Sequence, residues 1–275
     1  MKKILIPIDF SKHSKSALTY ALNLNQDLKA EFIVFHTTHF PDEDNDKTET
    51  IEFHKMLTDK CKAFINTSIK ESDLKIKPET IKTVVRDGHF VVEDILAHYD
   101  KTKFDIIIMG THGAGGADKA FLGSSASRML SSSPVPVLVI PPGLKFVKLQ
   151  KMVYASDFSN FLKEFKKAES FALLFNCHLD VLTFRSEWRR EEATTLFENI
   201  TQKLKSKKSS LISCGSTGDI AKDIQKYIKK DKPDLLIMFT DEQNIFDALF
   251  GRSRTEQISY NLKLPMLAIR KAILK

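Results

Sequence analysis

Short apolar runs recur along the chain, separated by stretches whose apolar positions return every three or four residues. Ile4-Leu5-Ile6-Pro7-Ile8 is the first run and predicts a buried strand ending at Asp9. Ser11 then stands in a capping position before Ala17, Leu18, Ala21, Leu22 and Leu24, which share one helix face. Phe32–Phe35 predicts a second strand, residues 39–48 an acidic loop, and Glu49 to Glu71 a long helix with Phe53, Leu57, Phe64 and Ile65 on one face. A third strand is expected over Ile81–Val85, a short helix over Val91–Tyr99 and a fourth strand over Phe104–Met109. A helix opens at Ser124 and ends at Ser131-Ser132-Ser133-Pro134, and Val135–Ile140 is the fifth strand.

Strands and helices therefore alternate, and the strands are continuous apolar runs. That pattern belongs to an α/β fold whose parallel sheet is covered on both faces by helices. Ligands of such sheets bind outside the carboxyl ends of the strands. Asp9, Thr37 and Gly110 all stand near predicted carboxyl ends and are candidates for one crevice.

The order then repeats. Lys151-Met152-Val153-Tyr154-Ala155-Ser156-Asp157-Phe158-Ser159 echoes Lys3 to Ser11, with an identical Asp-Phe-Ser. His178 to Phe184 answers the second strand, Asp234–Met238 answers Asp105–Met109, and Leu264–Ile269 answers Val135–Ile140. The offset is 148 residues at the first strand and 129 at the last two, so nineteen residues are missing from the middle of the second copy. The region corresponding to 39–71 is the expected place. Two tandem five-stranded domains follow, over residues 1–147 and 148–275.

Composition narrows the class. A 275-residue chain with 42% apolar residues is long enough for two cores. No apolar run approaches the roughly 18–20 residues that span a bilayer. The opening Met1-Lys2-Lys3 run reaches Asp9 too soon for a signal peptide, so a cytoplasmic location and no membrane partner are expected. Cys61, Cys177 and Cys214 lack metal-binding or disulfide spacing. His36-Thr37-Thr38-His39 has no nearby Cys or carboxylate to complete a metal site, so no protein metal ligands are expected. The net charge is +7, with basic runs at Lys203–Lys208 and Lys226–Lys230. They read as solvated helix ends, where cations suit the dipole, so nucleic acid is not expected as a partner.

The chemistry concentrates in one stretch. Gly110, Gly113, Gly115, Gly116 and Gly123 are five of the ten glycines. Strand, glycine loop and helix N-terminus together let backbone N–H groups hold phosphate. A plain flexible turn is the alternative. The spacing is G-x-x-G, nine residues, then G-[S/T]; it is neither a P-loop nor a dinucleotide fingerprint. The second copy has Phe239-Thr240-Asp241-Glu242 where the first has Gly110-Thr111-His112-Gly113, and keeps only Gly251. Its carboxylates repel phosphate and Phe239 fills the place of close backbone approach.

On these residues the chain resembles the universal stress protein family, in its tandem form, within the adenine-nucleotide α-hydrolase-like folds. The resemblance implies an ATP-binding protein of stress response or signalling. By position it implies that Pro7, Ile8 and Asp9 line the adenine and ribose side and that Thr37, just after the second strand, offers backbone to adenine. Gly110, His112 and Gly113 would lie along ribose and phosphate. Gly123, Ser124, Ser125 and Ala126 would cradle the phosphates, with Mg2+ bridging them. The simpler readings are that Asp9 and Ser11 only cap the first helix, that Ser124 only caps its own helix, that Asp157 is a cap, and that His112 is a plain loop residue. The resemblance also implies pairing through last strands, here an internal pseudo-dimer of the two domains, with a homodimer of whole chains as a further option. No Ser/His/Asp constellation or water-activating base stands out, so slow ATP hydrolysis is the most activity expected. The competing function is a structural or interaction module of the same fold that binds no nucleotide.

Overall fold

A computed structural model describes residues 2–40, 47–72, 74–111, 123–184, 190–215, 217–240 and 264–274. Two compact units divide the chain at Phe146 and Val147. The first contains β1 (Lys3–Pro7), α1 (Lys12–Leu28), β2 (Glu31–Thr38), α2 (Lys47–Glu71), β3 (Lys82–Asp87), α3 (Val91–Lys101), β4 (Ile106–Gly110), α4 (Ser124–Ser132) and β5 (Val137–Ile140). Its strands lie in the order β3-β2-β1-β4-β5 and all described pairings are parallel. The chain moves outward from β1 through β2 to β3, then returns to the other side of β1 as β4. The carboxyl ends of β1 and β4 are therefore the topological switch point, where such sheets hold ligands.

The second unit contains β6 (Lys151–Ser156), α5 (Phe161–Leu174), β7 (His178–Thr183), α6 (Arg190–Leu204), β8 (Ser209–Ser213), α7 (Ile220–Asp231), β9 (Leu235–Thr240) and β10 (Met266–Arg270). Its order is β10-β9-β6-β7-β8, again parallel. The two orders match strand for strand. The deletion is visible in the helix between the second and third strands: α2 has 25 residues and α6 has 15.

Burial explains the continuous apolar runs. Ile4, Leu5 and Ile6 of β1 are fully buried, as are Ala17, Leu18, Ala21 and Leu22 of α1. The Asp that precedes each central strand has a structural task. Asp105 accepts the Lys3 N–H at 2.8 Å, and Asp234 accepts the Gln150 and Lys151 N–H groups at 2.8 and 2.9 Å. Each carboxylate staples the start of one central strand to the start of its neighbour. The second basic run finishes a helix, with Lys229 and Lys230 in the last turn of α7, whereas the first only begins in one: Lys203 lies in the last turn of α6, and Lys205, Lys207 and Lys208 follow the helix.

β2 is longer than its apolar run. His36, Thr37 and Thr38 continue the strand because they pair with Val85, Arg86 and Asp87 of β3. Thr37 is thus inside the strand rather than just after it. β1 stops one residue early, at Pro7.

Candidate functional site

The crevice at the switch point is built from three strand ends and two helix starts. Pro7 is the last, buried residue of β1. Ile8 is 4% exposed, and its N–H donates to the Phe35 carbonyl at 2.8 Å. Asp9 follows in a tight turn: its Oδ1 accepts the Ser11 N–H at 3.0 Å. Phe10 between them has a φ of +62°, a left-handed conformation that a bulky side chain adopts only when its surroundings hold it. Ser11 is the cap of α1, its Oγ accepting the Ser14 N–H at 3.1 Å. Capping therefore falls to Ser11, and Asp9 sits outside the helix at the mouth of the crevice.

Thr37 lies beside this turn. Its Oγ1 is buried and has no hydrogen-bond partner among the described residues. Such a hydroxyl is costly unless something else reaches it. Gly110 ends β4 against the first turn of α1. A Cβ there would lie 2.8 Å from the His13 carbonyl oxygen and 2.9 Å from its carbon. These are backbone atoms that have nowhere to go, so only glycine fits.

Thr111 is buried and its N–H donates to Ile140 at 3.3 Å. Its carbonyl accepts the Gly123 N–H at 2.6 Å. That bond brings the end of β4 and the start of α4 together across segment 112–122. His112 and Gly113, with Gly115 and Gly116, lie outside the described residues. α4 begins with Gly123 as its cap, with no side-chain cap bond. Ser124 is the first residue of the helix, not its cap. The first N–H groups of a helix have no partner within it, and here they belong to Ser124, Ser125 and Ala126. Ser124 is exposed, Ser125 half-buried and Ala126 buried. Gly110, Gly123, Ser124, Ser125 and Ala126 thus converge on one strand-to-helix passage, with Pro7, Ile8, Asp9 and Thr37 on the adjoining strand ends.

The histidines of the 36–39 stretch do other work. His36 Nδ1 lies 2.9 Å from the Ile8 carbonyl, and His39 stacks on His89 with ring centroids 4.4 Å apart. No group of three His, Cys, Asp or Glu side chains among the described residues could hold a metal ion. Burial raises the Cys61 thiol to about 11 and also raises that of Cys214, so neither is an activated nucleophile.

The corresponding place in the second unit is filled. The pairings Ile4–Ile106 and Met152–Leu235 put Phe239 where Gly110 stands. Its ring meets Tyr154 edge-on at 5.2 Å, and Phe158 stacks on Phe161 at 4.3 Å. Phe158 repeats the φ of +62° seen at Phe10. Asp157 is not a helix cap; it binds Lys271 from the turn after β10 at 2.9 Å. The same ammonium reaches Ser159 Oγ at 2.7 Å and Glu164 Oε1 at 3.5 Å. Burial opposes ionisation of Asp157, yet the bonds from Lys271 and the Ser159 N–H hold its carboxyl below the usual range. Glu164 is 1% exposed, accepts the Tyr154 hydroxyl, and is raised by burial. Lys271, Glu164 and Tyr154 carry no local motif. Lys271 is 114 residues from its partner, so no spacing rule marks it.

A separate cavity of about 640 Å³ in the second unit is lined by Lys151, His178, Asp180, Cys214, Lys226 and Tyr227, among others. Ser210 Oγ and Asp180 Oδ1 both approach His178 Nε2, at 2.9 and 3.3 Å. A proton relay needs the carboxylate on the opposite ring nitrogen from the hydroxyl. Asp180, itself buried, instead takes the Tyr227 hydroxyl at 2.7 Å, with the part-exposed Lys151 ammonium at 3.8 Å.

Comparison with known proteins returns the same overall fold. The profile of the Universal stress protein family matches residues 1–141. The chain belongs to the universal stress protein family. Universal stress protein MJ0577 of Methanocaldococcus jannaschii is 33% identical over 159 residues, which span 50% of this chain and 94% of that protein. Universal stress protein MJ0531 of the same organism is 28% identical over 145 residues, 50% of this chain and 81% of the relative. A universal stress protein from Archaeoglobus fulgidus DSM 4304 has the same fold across 98% of both chains, with a TM-score of 0.69 at 16% identity. Among the described residues no helix is long and apolar enough to cross a membrane.

Proposed function

We propose that the first unit of this universal stress protein binds ATP and uses the bound state for stress response or signalling, and that the second unit binds none. The observation that carries this is the contrast between Gly110 and Phe239. At one switch point the backbone of β4 meets α1 with no side chain between them, and a helix start without a side-chain cap bond lies one hydrogen bond away. At the other, an aromatic layer and the Lys271 ammonium occupy the same place. Pro7, Ile8, Asp9 and Thr37 would hold the nucleoside, and Gly110, Gly123, Ser124, Ser125 and Ala126 the phosphates, with His112 and Gly113 expected between them. The unsatisfied Thr37 hydroxyl and the glycine-lined passage fit such a ligand. Any magnesium would be held by phosphate and water rather than by a protein cage.

The reading is tested by calorimetric titration of wild type and Gly123→Val with ATP and magnesium. Gly123 has φ −63° and ψ 156°, open to any residue, so the substitution blocks the passage without straining the backbone. The expected result is one site per chain in wild type and at least roughly tenfold weaker binding in the variant. Equal affinity in the two proteins would remove the loop from the site. A module that binds no nucleotide is the competing function; absence of both co-purifying nucleotide and titratable binding would favour it.

A further inference from the structure

His36 is the residue before Thr37 in β2 and is 8% exposed. It holds the Ile8 carbonyl at 2.9 Å, while the Ile8 N–H binds the Phe35 carbonyl at 2.8 Å. Both main-chain groups of Ile8 are thus tied to β2, although the register of the two strands ends at Pro7 and Phe35. In a parallel ladder the next rung would run from the Thr37 N–H to that same Ile8 carbonyl. The imidazole stands in for that rung. Alternate residues of a strand turn their main-chain groups to opposite neighbours. Phe35 turns to β1 by accepting from Ile8, and Thr38 turns to β3 by accepting from Gly88 at 3.1 Å. Thr37 therefore turns its main-chain edge to the β1 side, beyond the last rung and over the crevice.

We infer that His36 is a positioning residue for the nucleotide: its Nδ1–H clamps the Ile8–Asp9 turn to β2 and leaves the main-chain edge of Thr37 for the base. This rests on the nucleotide reading of the crevice. The surroundings keep the ring in one place. The Phe10 ring lies 4.6 Å from the imidazole, Phe64 packs edge-on against Phe10 at 5.6 Å, and Lys60 Nζ sits 4.3 Å over the Phe10 ring. Burial, aided by Lys60, lowers the His36 pKa, which keeps the ring neutral at pH 7. A neutral ring has one N–H, and the Ile8 carbonyl fixes it on Nδ1.

The second unit lacks this clamp. There Ala155 pairs with Leu182 as Pro7 pairs with Phe35, so Thr183 stands in the place of His36 and Ser156 in that of Ile8. The Thr183 hydroxyl is buried with no hydrogen-bond partner among the described residues. Ser156 is held by Tyr154 and by the Phe158 N–H instead, at 2.9 and 3.1 Å.

The experiment compares ATP affinity and thermal melting of wild type, His36→Asn, His36→Gln and His36→Leu. Asn places an amide nitrogen where Nδ1 lies; Gln places the same group where Nε2 lies. The expected result is Asn within about threefold of wild type, and Gln and Leu weaker by about tenfold, the scale of one buried hydrogen bond. Gln or Leu binding like wild type overturns the inference, as does Asn falling with them. If Leu does not fold, the Asn–Gln pair decides, because the two amides differ only in reach. A wild type that binds no ATP removes the nucleotide reading itself, and this inference with it.

Discussion

Gly110 and His13 meet backbone to backbone: a Cβ on Gly110 would stand 2.8 Å from the His13 carbonyl oxygen. The contact fixes α1 directly on the end of β4, and so sets where the following passage begins. Gly110→Ala forces α1 or β4 to shift. The expected cost is about 1–3 kcal/mol in urea-induced unfolding, the scale of an overpacked core. Unchanged stability would mean that α1 is free to move away.

Lys271→Met should destabilise the second unit by about 3 kcal/mol, because it leaves Glu164 buried without its ammonium. The Asp157 part of this has a defined pH window. Its folded pKa is lowered, so its contribution is present above the ordinary aspartate pKa of about 3.9 and lost as pH falls through the folded value. Wild type and variant melts compared at neutral and strongly acid pH should converge on the acid side. A gap that stays constant would disprove the pairing.

Glu164→Gln should behave in the opposite sense. The folded pKa of Glu164 is raised by burial, so ionisation above it weakens the fold. A glutamine still accepts the Tyr154 hydroxyl and carries no charge. The variant should match wild type near pH 4 and be equal or more stable at pH 8. A glutamine variant that loses stability as pH rises, relative to wild type, contradicts the assignment.

His98 in α3 packs on Phe35 at 5.3 Å and is 8% exposed, with no partner for Nε2 among the described residues. Burial, with Lys82, Arg86 and Lys101 nearby, lowers its pKa. Below about pH 6.5 the unfolded chain takes up a proton that the folded chain refuses, so stability falls with pH from there. His98→Leu should flatten this part of the melting-temperature profile between pH 7.5 and 5.5. Burial also lowers the His36 pKa, so His36 contributes to the slope in the same direction. An unchanged slope would show that His98 is protonated without penalty.

Phe239→Ala should cost about 3 kcal/mol through loss of its contact with Tyr154. It should not create a second nucleotide site, because Lys271 still neutralises Asp157. A binding stoichiometry that rises from one to two per chain would refute that view of the second unit.

The fold was legible because its signals are local. Buried parallel strands need unbroken apolar runs, so Ile4–Ile6 and Ile106–Met109 announce themselves, and the repeated Asp-Phe-Ser marks the duplication. Gly110 was legible too, since close backbone contact with His13 admits no other residue there. What the residue pattern left dark was long-range pairing. The end of β2 is polar, so nothing apolar signalled that Thr37 still pairs with Arg86. His36 had no metal partner and no other visible task, because its acceptor is a carbonyl, and carbonyls leave no trace in a sequence. Lys271 looked like any lysine after a strand until the fold carried it to Asp157.

The bond from Gly123 to Thr111 separates two tasks that the segment between them would otherwise share. The base of segment 112–122 is tied by the sheet and helix themselves, whatever residues run between. Lengthening a segment whose ends are already joined costs little, about 0.6 kcal/mol for each doubling. Selection on that segment can therefore follow what it contacts, while Thr111 and Gly123 keep the account of the fold. Relatives that differ in length there should retain the same strand order and the same helix start.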